Sequence, residues 1–214
     1  MSHSVLDKDA KACWVTKDPK GYYDDKALAY DEAVEAGSYQ APQEVTKICA
    51  KYLKKDARVL DLAAGTGLMG VYLRKIGFKD LHAHDASPKM LDMAREKGVY
   101  KSYFAEVLNP GITSGMPANH FDGLIVVGSI GPGHIQPAVF DEFLRLVKKG
   151  GKIIMTVRKN FLNMKECMQL DWPHSIEGKI EDLKKEGKWK FIDRKDIPNY
   201  LKDVPAVCFV FEKL

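Results

Sequence analysis

The chain has 214 residues, 45% of them apolar, and a formal net charge of +4, which suits one domain with a sizeable core. The charge is scattered over many lysines and acidic residues, so no basic tail or stripe for nucleic acid is evident. The longest apolar runs, such as residues 124–127, are far too short to span a bilayer.

Residues 1–20 are polar and have no apolar stretch of the signal-peptide kind. The four cysteines, Cys13, Cys49, Cys167 and Cys208, are far apart and form no C-x-x-C pair. Reduced thiols in a cytoplasmic protein are therefore expected. Residues 22–35 have helical composition. Residues 40–54 follow, with Pro42 near the start and Val45, Ile48, Cys49, Tyr52 and Leu53 at helical spacing. Residues 1–55 are expected to form a helical cap on a core spanning 56–214.

The period then changes. Residues 58–63 (RVLDLA) form a short β-leaning run closed by AAGTG, and residues 68–76 form a helix ended by Gly77. A strand over 81–84 ends at Asp85, and Ser87-Pro88 opens a helix over 89–97 with Gly98 after it. Strands follow at 101–105 and at 121–127, the latter apolar throughout most of its length, as a strand buried on both faces should be. A helix over 137–147 ends at Lys148-Lys149-Gly150-Gly151, where lysines suit the helix C-terminus and glycines permit reversal. A fifth strand covers 152–157, and a mixed stretch over 159–188 reads as an insertion. Two terminal strands, 189–194 and 206–212, have only residues 196–202 between them to supply a short helix. Strands alternating with helices imply a parallel, doubly wound sheet, made mixed by the terminal pair.

The central motif runs from Asp61 through Gly65, Thr66 and Gly67 to Gly70. Its glycines fit G-x-G-x-x-G, and Asp85 follows at about the spacing of a dinucleotide site. Asp61 argues against that reading. It sits at the strand end just before the loop, where a carboxylate would oppose a pyrophosphate. S-adenosylmethionine (SAM) has no phosphate and carries a sulfonium and an ammonium, so a carboxylate suits it, directly or by ordering the loop. Gly65 and Gly67 let the backbone approach a cofactor closely. Asp85 is placed to accept hydrogen bonds from ribose hydroxyls, a feature both cofactor classes share. Met90 reads equally as an adenine contact or as core. A tight turn with no ligand is the bland alternative.

Residues 59–67 (VLDLAAGTG) resemble motif I of class I SAM-dependent methyltransferases. Residues 85–91 (DASPKML) resemble the acidic motif of that family at the second strand, residues 121–127 its fourth-strand motif, and residues 144–152 the turn before its fifth strand. The likeness covers about residues 22–158. It implies an α/β, Rossmann-like fold with a seven-stranded, mostly parallel sheet, the last strand antiparallel, and helices on both faces. Tyr22-Tyr23-Asp24 with Tyr30-Asp31, and residues 127–134 (VGSIGPGH), resemble the Williams–Beuren-region methyltransferase-like group. Ala64 departs from that group, which more often has Cys there; the change is small and leaves the loop intact. The resemblance implies that Ala105, Glu106 and Val107 flank adenine. The expected cofactor-contacting set is Tyr22, Tyr30, Asp61, Ala63, Gly65, Gly67, Asp85, Ala86, Ser87, Met90, Ala105, Glu106, Val107 and Gly128, with SAM giving S-adenosylhomocysteine (SAH) as product.

Ligands of open α/β sheets bind at the carboxyl ends of the strands, where residues 128–134 leave the fourth strand. His134 is the candidate base, or else a residue that positions substrate or loop backbone. Tyr23, Ser129, His134 and Trp172 make up the expected acceptor side. His82 and His84 alternate on a strand with no third ligand in sequence reach, so no metal is expected. Three functions compete. The first is transfer to an N, O or S nucleophile of a small molecule, favoured by the compact chain. The second is a protein or RNA methyltransferase, for which Gly128-Ser129-Ile130-Gly131 lacks an Asn/Asp-Pro-Pro-aromatic signature. The third is a non-catalytic SAM-binding interaction protein. With the first go a small-molecule acceptor, no nucleic acid, no membrane, and a monomer or weak homodimer.

Overall fold

The computed structural model describes residues 19–36, 39–109, 114–162, 175–201 and 204–214. Two helices, α1 (Pro19–Ala36) and α2 (Ala41–Tyr52), precede the first strand. Then come β1 (Arg58–Leu62), α3 (Leu68–Lys75), β2 (Asp80–Asp85), α4 (Pro88–Glu96), β3 (Ser102–Ala105) and β4 (Phe121–Ile130). A 3-10 turn at Pro137–Val139 leads into α5 (Phe140–Leu146), followed by β5 (Val147–Arg158), α6 (Ile176–Lys185), β6 (Trp189–Leu201) and β7 (Val204–Lys213).

The seven strands form one sheet in the order β3-β2-β1-β4-β5-β7-β6. All pairs are parallel except those of β7, which runs against both β5 and β6. Each face is covered by its own core. Val45, Ile48 and Cys49 of α2, Leu73 of α3 and Leu91 of α4 fill one side with Val59, Leu81 and Ile125 of the sheet. Phe140 and Phe143 of α5 and Ile180 and Leu183 of α6 fill the other with Leu60, Leu124 and Phe211. β4 is buried from Leu124 to Val126 without interruption, as its apolar run requires. The rings of Trp189 and Phe211 stack at 4.1 Å, and the Trp189 indole donates to the Ile180 carbonyl at 3.1 Å, which fixes α6 over the β6–β7 hairpin.

The structure departs from the sequence reading in two places. Residues 196–202, the only stretch between the terminal strands that could supply a short helix, instead continue β6 as far as Leu201. There Asp196 pairs with Val207 and Ile197 with Ala206, and Ile197 and Tyr200 are buried. The backbone of β7 needs ladder partners on its outer side, and that demand outweighs local helical composition. The Lys148–Gly151 reversal lies inside β5: the register jumps from Phe121↔Val147 to Gly123↔Lys152, with Gly150 at φ +78°.

Candidate functional site

The strand order reverses between β1 and β4, and a cavity of about 650 Å³ opens at the carboxyl ends of β1, β2 and β4. This is the place and the size range of small-ligand sites in open α/β folds. Its floor is the β1–α3 loop. Ala63 (φ 58°), Gly65 (φ 56°) and Gly67 (φ 86°) all adopt left-handed backbone there, turning the chain sharply into α3. Ala63 tolerates this at a cost of about 1 kcal/mol. The Ala64 amide donates to the His84 carbonyl at 2.8 Å, which pins the loop to β2.

The glycines have different jobs. A Cβ on Gly65 would meet nothing within 4 Å, and the residue lines the cavity. A Cβ on Gly67 would come within 3.0 Å of both Ala94 and Tyr100, and one on Gly70 within 2.3 Å of the Tyr100 ring. Gly67 does not line the cavity; with Gly70 it lets α3 and α4 close around Tyr100.

Asp61 ends β1 almost fully buried, and Tyr100 donates to its Oδ2 at 2.5 Å. The same hydroxyl accepts the Gly70 amide at 3.0 Å. Burial pushes the Asp61 carboxyl up to about 7, opposed by the Tyr100 hydrogen bond and aided by nearby Asp85. Asp85 accepts the Gly65 amide at 2.8 Å on one carboxylate oxygen and the Ser87 amide at 2.9 Å on the other. Burial raises this carboxyl too, against those backbone donors. The buried carboxylate of Asp61 beside the glycine loop favours a positively charged ligand over a pyrophosphate, whereas Asp85 suits the ribose of either cofactor. The residues therefore fit SAM better than a dinucleotide.

Helix α1 runs along the β1–α3 and β2–α4 loops and packs on α4. Ser87 donates to Asp24 at 2.5 Å; Asp31 accepts from Thr66 at 2.5 Å and from Lys97 at 2.7 Å. Asp24 and Asp31 are seven residues apart and so share one face of the helix. On the far side, the Tyr23 hydroxyl is 2.7 Å from His134 Nε2, and His134 Nδ1 is 2.9 Å from the Pro132 carbonyl. Burial holds the His134 imidazole below the usual histidine range, opposed by the Pro132 carbonyl and reinforced by the Arg158 charge. Tyr30 lies on the same helix, and burial drives its hydroxyl well above the usual tyrosine value.

Of the expected residues, Tyr23, Tyr30, Asp61, Ala63, Gly65, Asp85, Ala86, Ser87, Met90, Val107, Gly128, Ser129 and His134 all line the cavity. Tyr22 is set back, its ring packed edge-on against Tyr23 at 5.4 Å. Ala105 and Glu106 do not line the cavity: the Glu106 carbonyl accepts from His84 Nε2 at 2.9 Å and its carboxylate accepts the Gly115 amide at 2.9 Å. Trp172 lies outside the described residues, as do residues 163–171, His174 and residues 1–18 of the expected cap. The sequence reading weighed His84 only as a metal ligand, whereas it lines the cavity with its Nδ1 buried and no hydrogen-bond partner among the described residues. It also missed Tyr39, whose hydroxyl reaches Tyr200, which in turn reaches Thr156 under the Gly128 amide. His82 is bound to Ser102 at 2.6 Å and Asp80 at 3.2 Å instead of turning to the site. Among the described residues no helix is long and apolar enough to cross a membrane.

A methyltransferase-domain family matches residues 59–151. Methyltransferase-like protein 27 of Homo sapiens is 31% identical over 172 residues, covering 79% of this chain and 67% of that protein. The ribosomal protein L11 methyltransferase of Clostridium perfringens is 25% identical over 188 residues, covering 85% of this chain, which spans only 56% of that protein. In fold, the chain is similar to magnesium protoporphyrin IX methyltransferase of Synechocystis PCC 6803, solved with bound SAH. There the TM-score is 0.63 at 13% identity, with 85% of each chain covered.

Proposed function

The chain belongs to the class I SAM-dependent methyltransferases, within the methyltransferase-like protein 27 group, and on that premise we propose that it methylates a small molecule. SAM supplies an electrophilic methyl group on a good leaving group, so the work left to the chain is binding, alignment and, for a protonated acceptor, taking up a proton. In this reading Asp85 takes the ribose hydroxyls and Asp61 faces the methionine ammonium. The Gly65 backbone borders the cofactor, Met90 and Val107 flank adenine, and residues 128–134 with Tyr23 border the acceptor. Residues 1–55 act as a cap through α1.

The observation that carries the reading is the roof. Helix α1 covers one side of the cavity with Tyr23 and Tyr30 and is held there by Asp24 and Asp31, leaving about 650 Å³ for cofactor and acceptor together. Such a volume suits a small acceptor. The buried free thiols Cys49 and Cys208 support a reducing, cytoplasmic setting. The likeness to a ribosomal protein L11 methyltransferase favours a second reading, a protein acceptor. Incubating the protein with [methyl-14C]SAM and a cell extract, then separating by mass, distinguishes the two. Label in the low-mass fraction is expected; label confined to protein overturns the small-molecule reading.

A further inference from the structure

We propose that Tyr23 and His134 form a proton relay that prepares a hydroxyl-bearing small molecule for methylation; this rests on the small-molecule reading above. The geometry fixes the direction of the relay. The Pro132 carbonyl has no proton to give, so the His134 nitrogen beside it, Nδ1 at 2.9 Å, carries the ring proton. Nε2 is then the basic nitrogen, and the Tyr23 hydroxyl 2.7 Å away donates to it. The imidazole is held in that pose. The His134 amide donates to the Gly131 carbonyl at 3.0 Å, and the Ile135 amide to the Ser129 carbonyl at 2.9 Å, with Ile130 and Ile135 bridged. Gly133 at φ 72° lets this short loop close.

Both side chains line the cavity, and they come from opposite walls: Tyr23 from α1, His134 from the loop leaving β4. Among the described residues, titratable groups close to the pair include Tyr22 and Tyr30 on α1 and Arg158 at the end of β5. The Pro132 carbonyl fixes the ring proton on Nδ1, and burial together with the Arg158 charge disfavours a second one, so the neutral ring, accepting at Nε2, is the resting form.

The arrangement selects the acceptor class. A thiol ionises near neutrality and a neutral amine already carries a nucleophilic lone pair, whereas a hydroxyl keeps its proton and gains most from a base within reach. In the step, the hydroxyl proton of the acceptor passes to Tyr23 Oη as the Tyr23 proton passes to His134 Nε2. An oxygen lone pair forms the new O–C bond while the C–S bond breaks and leaves its electron pair on sulfur. One positive charge disappears from the sulfonium and one appears on the imidazole, which returns its proton to solvent after product leaves.

The test compares wild type and Tyr23→Phe with [methyl-14C]SAM and a fractionated metabolite extract. Product type is read by mass spectrometry, and SAM affinity by calorimetry. An O-methyl product is expected, with kcat about 100-fold lower in Tyr23→Phe at pH 7 and SAM affinity unchanged. 15N spectra of histidine-labelled enzyme should report a neutral Nδ1–H ring at position 134, perturbed in Tyr23→Phe. Only N-methyl or S-methyl products, full kcat in Tyr23→Phe, or equal losses of kcat and SAM affinity overturn the relay. A labelled ether made equally fast by the variant removes the relay and leaves the small-molecule reading standing. Label in protein alone, or nowhere, removes both.

Discussion

The Tyr100 hydroxyl, just before β3, binds the Asp61 carboxylate at the end of β1 and accepts the Gly70 amide of α3, so one side chain ties three neighbouring elements beneath the cofactor loop. It satisfies one lone pair of an almost fully buried carboxylate, and burial lifts that carboxyl to about 7.

The sign of the consequence follows from linkage. Asp61 has a folded pKa near 7 against an ordinary 3.8, so its contribution to stability is fully present below about pH 4 and is lost as pH rises through 7. Asp61→Asn keeps an acceptor for Tyr100 and removes the charge. Thermal unfolding should find variant and wild type alike at pH 4, with the variant gaining about 2–4 kcal/mol by pH 8. Its SAM affinity should fall about tenfold or more at the same pH. Calorimetry of wild type at pH 6 in buffers of different ionisation enthalpy should detect proton release on SAM binding. A variant whose stability difference is flat with pH would contradict the buried, proton-binding Asp61.

The glycines of the loop separate cofactor approach from packing. Gly65→Ala adds a methyl into open space at φ 56°, where left-handed strain costs about 1 kcal/mol. Gly70→Ala forces a methyl to within 2.3 Å of the Tyr100 ring, and such overpacking costs about 1–3 kcal/mol. Gly65→Ala should therefore lose mainly SAM affinity and Gly70→Ala mainly melting temperature. Paired calorimetry and thermal melts check the split, and identical profiles would refute it.

Helix α1 is fastened by polar contacts. Among its described side chains only Ala27 joins the buried apolar set, while Asp24 and Asp31 bind Ser87, Thr66 and Lys97. Replacing both aspartates by alanine should release the helix from the loop while leaving the sheet intact. The expected outcome is a melting loss of about 1 kcal/mol per contact, faster SAM dissociation in stopped flow, and early proteolytic cleavage within residues 19–36. A collapse of the whole fold would mean that α1 is a core element.

Much of this was legible in the sequence because it depends on local chemistry. The order of strands and helices followed from periodicity, and Asp61, Gly65 and Asp85 were marked by their places at strand ends. What depended on partners distant in sequence was not legible. The strand over residues 196–201 exists because β7 supplies its ladder. Gly67 reads like a cofactor glycine, yet its space is taken by Ala94 and Tyr100 from α4 and beyond. His84 enters the cavity wall because Leu62 beside it in the sheet ends β1 there. Tyr23 and His134 are 111 residues apart, and only the fold brings them within hydrogen-bond reach.

Asp85 offers a test in which the ligand is varied along with the protein. Its two oxygens already accept the Gly65 and Ser87 amides, leaving the remaining lone pairs for the proposed ribose contact. Asp85→Asn turns an acceptor into an amide donor facing one of those backbone N–H groups, so some affinity will be lost through loop distortion alone. The ribose share is isolated by comparing SAH with its 2′-deoxy analogue on both proteins. Wild type should prefer SAH by about 10- to 100-fold, the range of a hydrogen bond to a charged group. Asp85→Asn should bind the two nearly alike. If the variant keeps the full preference for SAH, the hydroxyl is recognised elsewhere and Asp85 serves only to hold the loop.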